Sequence, residues 1–415
     1  MPDNMTGKLP DDDRSAWLRD PLTQKLLHLL NGDGAITRCV GGCVRDTLLG
    51  RADAQTEVDM ATTMAPQNVM AQLAEANIKT VPTGLKHGTI TAILPRGESH
   101  ALFEITTLRR DVETDGRHAK VQYTDDWAED AARRDFTINA LYADADGQIY
   151  DPNGQGMVDI AAGHVRFIGA AEQRISEDHL RVLRFFRFHF TLAADKPMDA
   201  TAYAACCAAA EALQALSGER KQAEILKILA LPNPSACLAL LAAPPFALPV
   251  FGVETGFHHD RLAALTGLAQ PSDAVLRLAA LLNGTNAPAV CDALKLSKKQ
   301  CQRVLAATGE HSRLNEGDIV GALYFDGADQ IADAAMLALA EGGDAAHWQS
   351  VLAQVAAWQK PDFPLNGAMM RAAGLADGPE MGEMARALEQ WWVAAGFPET
   401  EAVKSELARR MADRD

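Results

Sequence analysis

The pattern of predicted secondary structure changes once, near residue 165, and this change constrains the fold more than any other feature. Before it, short apolar or β-branched runs typical of strands alternate with turn-forming segments and with a helical stretch that starts at Pro66. The strand-like runs are residues 36–40, 56–62, 88–94, 101–108 and 148–152. After residue 165, helical patterns rich in alanine and leucine follow one another almost without a break. The sequence therefore predicts an α+β protein, with a mixed sheet first and helices afterwards.

Length and charge narrow the class of protein further. A chain of 415 residues is too long for one compact core, so two to four domains are expected. A net charge of −16 argues against a surface coated with nucleic acid, but it leaves room for a local basic groove. Residues 1–20 read as a polar tail or short helix, and the segment 109–126 is predicted to be a mobile, highly charged loop.

The sequence offers no sign of a membrane or secreted protein. It has no apolar stretch of about 18 residues, and its first residues lack the basic-then-apolar order of a secretory signal. The seven cysteines match no zinc-ligand spacing, so they are expected to be reduced and mostly buried. We therefore expect a cytoplasmic protein without membrane contact, and no protein partner is implied.

A glycine pair opens the first candidate site, in the stretch GGCVRDTLLG at residues 41–50. Gly41 and Gly42 carry no Cβ and let another group approach the backbone closely. Arg45 follows within one helical turn and could form a forked pair with phosphate oxygens. Taken alone, a glycine pair is most often a turn, but this combination predicts a binding site for a triphosphate.

Two carboxylates follow the glycine pair at a spacing that suits a metal ion. If residues 56–62 form a strand, Glu57 and Asp59 point to the same face, roughly 6–7 Å apart at the backbone. Carboxylates so placed repel each other unless a hard cation such as Mg²⁺ lies between them. A solvated strand edge is the alternative, but together with the glycines the pair predicts a nucleotide bound with metal.

A second candidate site lies on a predicted helix at residues 176–190, with Ser176 as its N-cap. Charged residues recur at every third position, namely Asp178, Arg181, Arg184 and Arg187. Phenylalanines lie between them, so part of this stripe must face apolar surroundings. A buried guanidinium without a partner is costly, and anionic or polar groups are therefore expected to meet these arginines.

These motifs belong to an ordered series of longer blocks. The series is GGCVRDTLLGR, EVDMATT, HGTITAI (87–93), FEITTLRRD (103–111), ARRDFTINALY (132–142), DPNGQGMVDI (151–160), VRFIG (165–169), EDHLRVLRFFRF (177–188) and ERKQAEILKIL (219–229). It resembles the class II tRNA nucleotidyltransferase and bacterial poly(A) polymerase family over about residues 36–230.

The resemblance implies an architecture of four segments. After a tail or short helix at 1–35, it places a nucleotidyltransferase-type mixed α/β head at 36–160. A helical neck at 161–230 would recognise the base, and an all-helical body and tail at 231–415 would bind tRNA.

The resemblance also assigns roles on the neck helix. Asp178 and Arg181 act as a protein template for the incoming base. A carboxylate can accept from the exocyclic amine of cytosine or adenine while an arginine donates to the ring nitrogen beside it. Uracil and guanine reverse that pattern and would leave buried polar groups unpaired. Arg184 and Arg187 would steady the phosphates or hold the template in place.

In the head, the resemblance assigns Glu57, Asp59 and Asp135 to catalysis and Arg134 to a nucleotide contact. Glu104 competes with Asp135 for the place of the third acid. The family usually has aspartate where this chain has Glu57, which is longer by one methylene group. Because Mg²⁺ tolerates displaced ligands poorly, this departure could shift the metal preference towards Mn²⁺.

The function implied is the addition of C, C and A to the 3′ end of tRNA from CTP and ATP, with Mg²⁺. Addition of a poly(A) tail, or of part of CCA, is the alternative within the same family. An inactive RNA-binding relative, with Glu57 as the disabling change, is a third hypothesis. The intact pair Asp178 and Arg181 argues against it, because a binder has no need to discriminate between nucleotides.

Overall fold

The computed structural model describes residues 5–32, 34, 36–113, 120–268 and 273–413. The strands are β1 (Met5–Lys8), β2 (Thr37–Val40), β3 (Asp59–Thr62), β4 (Lys79–Gly84), β5 (Thr89–Arg96), β6 (Ser99–Thr107), β7 (Arg109–Glu113), β8 (Lys120–Tyr123), β9 (Tyr142–Ala143) and β10 (Gln148–Tyr150). Short 3₁₀ helices cover Asp13–Ser15, Leu85–His87, Thr137–Asn139 and Ala210–Ala215.

The α-helices divide into those before and after Gly252. The first set is α1 (Ala16–Arg19), α2 (Pro21–Leu30), α3 (Gly42–Leu48), α4 (Pro66–Glu75), α5 (Trp127–Ala132), α6 (Gly156–Ala162), α7 (Ala171–Glu177), α8 (Leu180–Leu192), α9 (Ala200–Ala208), α10 (Gly218–Leu229), α11 (Ser235–Leu241) and α12 (Ala247–Phe251). The second set is α13 (His259–Gly267), α14 (Ala274–Leu281), α15 (Ala287–Ala293), α16 (Lys298–Thr308), α17 (Ser312–Asn315), α18 (Ile319–Phe325), α19 (Ala328–Ala340), α20 (Ala345–Ala357), α21 (Gly367–Ala372), α22 (Pro379–Ala394) and α23 (Thr400–Ala412).

The head is built on an eight-stranded mixed sheet in the order β1-β10-β9-β2-β3-β6-β5-β4. Only β3 and β6 run parallel to each other among these neighbours, and the remaining pairs are antiparallel. The five predicted strand runs correspond to β2, β3, β5, β6 and β10. The predicted α+β class, with a mixed sheet before the helices, is confirmed.

Two segments differ from their predictions. The segment predicted as a tail or short helix does contain the helices α1 and α2, and α2 packs in the core, but it also contributes β1 to the sheet edge. The predicted loop at 109–126 contains β7 and β8, which pair as a separate antiparallel hairpin, while its residues 114–119 lie outside the described residues. Backbone hydrogen bonds form this hairpin, so the charged side chains that suggested a loop do not prevent strand pairing.

The two faces of the sheet carry different cores. On one face, α2 and α4 pack their leucines and valine against alternate strand residues, among them Met60 and Ile105. On the other, Val40 and Ala61 pack with Trp127 of α5 and with Tyr142. Strand residues alternate between the faces, so the residues next to Met60 and Ile105 point towards the second face. Asp59 and Glu104 are those residues.

The neck contains a helix break that the sequence pattern does not predict. The predicted single helix is divided into α7, which ends at Glu177, and α8, which begins at Leu180. Asp178 between them has an extended backbone, and its Oδ1 accepts a hydrogen bond from the Leu180 amide at 3.1 Å. Aspartate competes for backbone N–H groups in this way and favours helix starts. Ser176 lies within α7 and is therefore not an N-cap.

Contacts between residues divide the chain into two compact units. The first comprises Met1–Leu231 and Ala236–Glu254, and the second comprises Pro232–Ser235 and Thr255–Asp415. The second unit is helical throughout its described residues, with Trp392, Leu388 and Tyr324 in one of its cores. The predicted boundaries at 160 and 230 remain predictions.

None of the described helices is long and apolar enough to cross a membrane. All seven cysteines are free thiols, and five of them are buried, as the sequence predicts.

Candidate nucleotide and metal site

A pair of carboxylates lies on the neighbouring parallel strands β3 and β6. Asp59 is the first residue of β3 and is in register with Glu104 of β6. Register partners point to the same face, so these carboxylates lie side by side. Glu57 precedes β3, so the prediction that a strand holds both Glu57 and Asp59 is wrong. Strand alternation therefore fixes Asp59 but not Glu57.

Electrostatics set Asp59 apart from an ordinary surface aspartate. Asp59 is exposed as a residue, but desolvation of its carboxyl group raises its pKa to about 6, and the charges of Glu104 and Glu57 act in the same direction, against the attraction of Arg134. These acids line a groove of about 490 Å³. Crowded carboxylates of this kind gain from a divalent cation that offsets their repulsion.

The donor set fits a hard cation that keeps some other ligands. Within the described part of the chain, no three His, Cys, Asp or Glu side chains already converge closely enough to enclose a metal ion. Magnesium usually takes only one or two carboxylates from the protein and completes its shell with water and substrate phosphates. Asp59 and its neighbouring acids meet that requirement.

The backbone turns sharply at Gly41, between β2 and α3. Gly41 has φ +74° and ψ −116°, a conformation that a residue with a Cβ rarely adopts. A Cβ at this position would lie 3.6 Å from the Asn139 carbonyl oxygen and 4.0 Å from Arg134 Nη1. A Cβ at Gly42 would lie 3.8 Å from Arg45 Nη2. The glycine pair thus brings bare backbone close to two guanidinium groups.

Arg45 is held within the protein. Its Nε and Nη2 donate to the two carboxylate oxygens of Asp46 at 2.8 and 2.7 Å. Its Nη1 donates to Asn139 Oδ1 at 2.6 Å, and only 12% of its side chain is exposed. Asp46 and Asn139 thus position this guanidinium beside the glycine turn.

Arg134 is anchored on one side and directed at the glycine turn on the other. Its Nε and Nη2 donate to Asp130 Oδ2 at 3.2 and 3.0 Å, and Nε also reaches the Tyr142 hydroxyl at 3.2 Å. Burial opposes ionisation of Asp130, but Arg134 and Arg133 outweigh it and lower the pKa of that carboxyl. This anchoring leaves Nη1 of Arg134 facing Gly41.

Asp135 belongs to a different cluster from Asp59. Its Oδ1 accepts from Asn139 Nδ2 at 3.0 Å, and its Oδ2 accepts from Arg184 Nε at 2.7 Å. Burial acts to raise the pKa of Asp135, but the charge of Arg184 and these hydrogen bonds lower it overall. Of the two candidates for a third acid, Glu104 is the one placed beside Asp59.

The arginines of α8 find the anionic partners that the sequence predicts. Arg184 meets Asp135, and Arg187 Nε donates to Glu224 Oε2 at 2.6 Å. Arg181 Nη1 donates to Glu177 Oε2, also at 2.6 Å. Three half-buried guanidinium groups are thereby neutralised within the neck.

Asp178 does not pair with Arg181 but with Arg220 of α10. Arg220 Nη2 donates to Asp178 Oδ2 at 2.8 Å and to Oδ1 at 3.1 Å. No motif in the sequence singles out Arg220 or Glu224 as a site residue. Their one signal is a spacing of four residues in the block ERKQAE, which places both on one face of α10.

The Phe188 ring joins the two parts of the site. Guanidinium carbons lie 4.9 Å (Arg45), 5.2 Å (Arg184) and 4.3 Å (Arg187) from its centroid. Such contacts stabilise a cation over an aromatic face. Phe188 is itself packed against Phe136, with centroids 5.4 Å apart. Arginines from beside the glycine turn and from α8 therefore contact the same aromatic ring.

Comparison with known proteins identifies the family of this chain. The chain is 33% identical over 392 residues to "CCA tRNA nucleotidyltransferase 1, mitochondrial" of Mus musculus, spanning 90% of this chain and 86% of that protein. The chain belongs to the CCA tRNA nucleotidyltransferase family. As a member of that family it is a nucleotidyltransferase, and the human protein of the same name is also 33% identical, over 87% of this chain and 83% of its own length.

Two family models match parts of the chain, and solved structures match nearly all of it. Residues 37–166 match the poly A polymerase head domain, and residues 197–243 match a probable RNA and SrmB-binding site of polymerase A. The Bacillus stearothermophilus CCA-adding enzyme, solved with CTP, is similar over 94% of this chain and 97% of its own, with a TM-score of 0.73 and 26% identity. The Thermotoga maritima CCA-adding enzyme, at 20% identity and a TM-score of 0.64, shares the fold.

Proposed function

We propose that this nucleotidyltransferase adds C, C and A to the 3′ end of tRNA, taking them from CTP and ATP and releasing pyrophosphate. The observation that supports this most is the likeness to proteins named for CCA addition along nearly the whole chain. The match to a poly A polymerase head domain keeps poly(A) addition as the competing activity, because that model covers only the head.

Chemistry would take place at the acidic groove. The terminal ribose hydroxyl of the RNA attacks the α-phosphate of the nucleotide, and pyrophosphate leaves. Asp59 and Glu57 would hold a divalent cation, Mg²⁺ or Mn²⁺, which when bound activates a hydroxyl and offsets the charge of the phosphates. Glu104 is our candidate for the third acid, because its register with Asp59 supports it. Asp135, the alternative, would act by positioning Arg184.

The triphosphate would lie against the glycine turn. Backbone N–H groups at Gly41 and Gly42 can approach phosphate oxygens closely, and Nη1 of Arg134 faces that turn. Arg45, held by Asp46 and Asn139, adds positive potential beside it. These groups bind any nucleoside triphosphate, so they provide affinity without choosing the base.

Base choice would fall to Asp178 and Arg181 at the start of α8, with Arg184 and Arg187 holding that helix in place through Asp135 and Glu224. A carboxylate acceptor beside a guanidinium donor complements cytosine and adenine and leaves polar groups unpaired against uracil and guanine. This arrangement would choose two bases without a nucleic-acid template.

The helical body and tail are proposed to hold the tRNA by its shape and phosphates. Cytoplasmic placement remains a prediction from the sequence, since two of the relatives are named mitochondrial.

The deciding experiment supplies purified protein with a tRNA that ends at the nucleotide before CCA, together with Mg²⁺. CTP alone, ATP alone and both are added, and the 3′ ends are sequenced. Growth to C and CC with CTP, and to CCA with both, is expected. Long tails with ATP alone would assign the protein to poly(A) addition. No growth under any condition, with Mn²⁺ included, would favour an inactive RNA-binding relative.

A further inference from the structure

Arg220 of helix α10 forms an ion pair with Asp178, the residue proposed to recognise the base. One nitrogen, Nη2 of Arg220, donates to both carboxylate oxygens of Asp178, at 2.8 and 3.1 Å. The pair is half-buried, with 34% of the Arg220 side chain and 28% of the Asp178 side chain exposed. A charge-assisted contact of this kind is stronger than a contact between neutral groups and limits the rotation of the carboxylate.

Asp178 needs such support because of where it lies in the chain. It sits in the break between α7 and α8, with an extended backbone, and no helical turn fixes its side chain. Its carboxylate also accepts from the Leu180 amide, which donates to Oδ1 at 3.1 Å. A carboxylate has about four acceptor positions, so it can still accept a hydrogen bond from a base amine.

The same face of α10 also holds the far end of the charged stripe. Glu224, one turn after Arg220, is buried and accepts from Arg187 Nε at 2.6 Å. Its other oxygen lies 4.0 Å from Arg184 Nη1. Helix α10 therefore contacts both Asp178, just before α8, and Arg187, nine residues further along the chain.

We propose that Arg220 is a positioning residue for base choice, which orients the Asp178 carboxylate towards the amine of an incoming cytosine or adenine. This proposal rests on the proposed role of Asp178 in recognising the base. Arg220 does not touch the nucleotide itself; its effect passes through the direction of the carboxylate. Loss of Arg220 then weakens discrimination between bases more than it weakens binding of the triphosphate.

The test measures equilibrium binding of CTP, UTP, ATP and GTP to the full chain, with inorganic tripolyphosphate as a probe for the phosphate site. Arg220→Gln is expected to reduce the preference for CTP over UTP about tenfold, the size of one charge-assisted hydrogen bond. Arg220→Lys should restore most of it, because one ammonium can replace the single nitrogen that makes both contacts. Binding of tripolyphosphate should stay within about twofold of wild type in both variants.

Arg14→Gln is the matched control, since it removes another arginine–aspartate pair of the first unit, with Asp12 at 2.6 Å. It should leave every nucleotide preference unchanged. If Arg220→Gln does not fold, Arg220→Met keeps the aliphatic stem and gives the same comparison. An unchanged CTP-to-UTP ratio in a folded Arg220 variant would overturn the proposal. Absence of any preference in the wild-type protein would instead count against the proposed function.

Discussion

Asn139 bridges Arg45 and Asp135. Its side-chain oxygen accepts from Arg45 Nη1 at 2.6 Å, and its amide nitrogen donates to Asp135 Oδ1 at 3.0 Å. Asp135 in turn holds Arg184 of α8. A continuous polar network therefore runs from the glycine turn of the head to the arginines of the neck.

Removing the Asn139 side chain should slow the addition of both C and A. Asn139→Ala leaves Arg45 and Asp135 each without one hydrogen bond in half-buried surroundings, a loss of about 1–3 kcal/mol per unsatisfied group. We expect kcat/KM to fall about 10- to 100-fold for CTP and ATP alike, measured with tRNA substrates that accept each nucleotide. Asn68→Ala, on the exposed side of α4, is the control. A loss confined to one nucleotide would show that the bridge serves base choice instead.

The raised pKa of Asp59 should make the protein less stable as pH rises through the weakly acidic range. Its pKa in the folded protein, about 6, exceeds its ordinary value of 3.8, so the folded state binds the proton more tightly than the unfolded state. The free energy of unfolding therefore falls as pH rises from about 4 to about 6. Asp59→Asn should remove this fall, and without divalent metal its Tm at pH 7.5 should exceed that of wild type.

The same pair of proteins tests the metal site. Added Mg²⁺ should raise the Tm of wild type, because a cation offsets the repulsion among Asp59, Glu57 and Glu104, and it should raise the Tm of Asp59→Asn much less. Near pH 4 the two proteins should melt together. A metal-free Asp59→Asn variant that melts below wild type at pH 7.5 would contradict the raised pKa.

Glu57 predicts a changed preference between metals. Because Mg²⁺ demands near-ideal octahedral geometry, the extra methylene of Glu57 should disfavour it relative to Mn²⁺. Glu57→Asp should increase the ratio of the Mg²⁺-dependent rate to the Mn²⁺-dependent rate, measured as addition of the first C. Glu57→Gln keeps the length but removes the charge, and it should lower both rates. An equal ratio in wild type and Glu57→Asp would mean that this side chain does not bind the metal.

A side chain at Gly41 should lower both the stability of the protein and its affinity for nucleotide. Alanine at φ +74° and ψ −116° would be strained by about 1–3 kcal/mol, and its Cβ would project towards Arg134. We expect Gly41→Ala to lower the Tm by several degrees and to raise KM for CTP. Gly97→Ala is the matched control, since Gly97 also has a positive φ, +60°, but no atom within 4 Å of the added carbon. Its KM for CTP should be unchanged.

Local patterns were sufficient for the elements whose side chains alternate between core and solvent. The runs that became β2, β5 and β6 are apolar or alternating, and Pro66 marks the start of α4, so neighbouring residues alone carry the signal. Strand β4 was missed because its residues are mostly exposed and show no such alternation. Segments whose structure depends on a partner strand give little local signal.

By itself, the sequence determined the α+β class and the glycine turn, and it singled out Asp59 and the arginines of α8. Only the tertiary structure decided which charged residues form ion pairs. Asp135 pairs with Arg184, 49 residues away, and Asp178 pairs with Arg220, 42 residues away. The tertiary structure also separated Asp178 from α8 and placed Glu104 beside Asp59. The physical reason is that a half-buried charged residue requires a partner of opposite charge, which its residue type alone predicts. Which residue becomes that partner depends on how distant elements pack, and no short stretch of sequence contains that information.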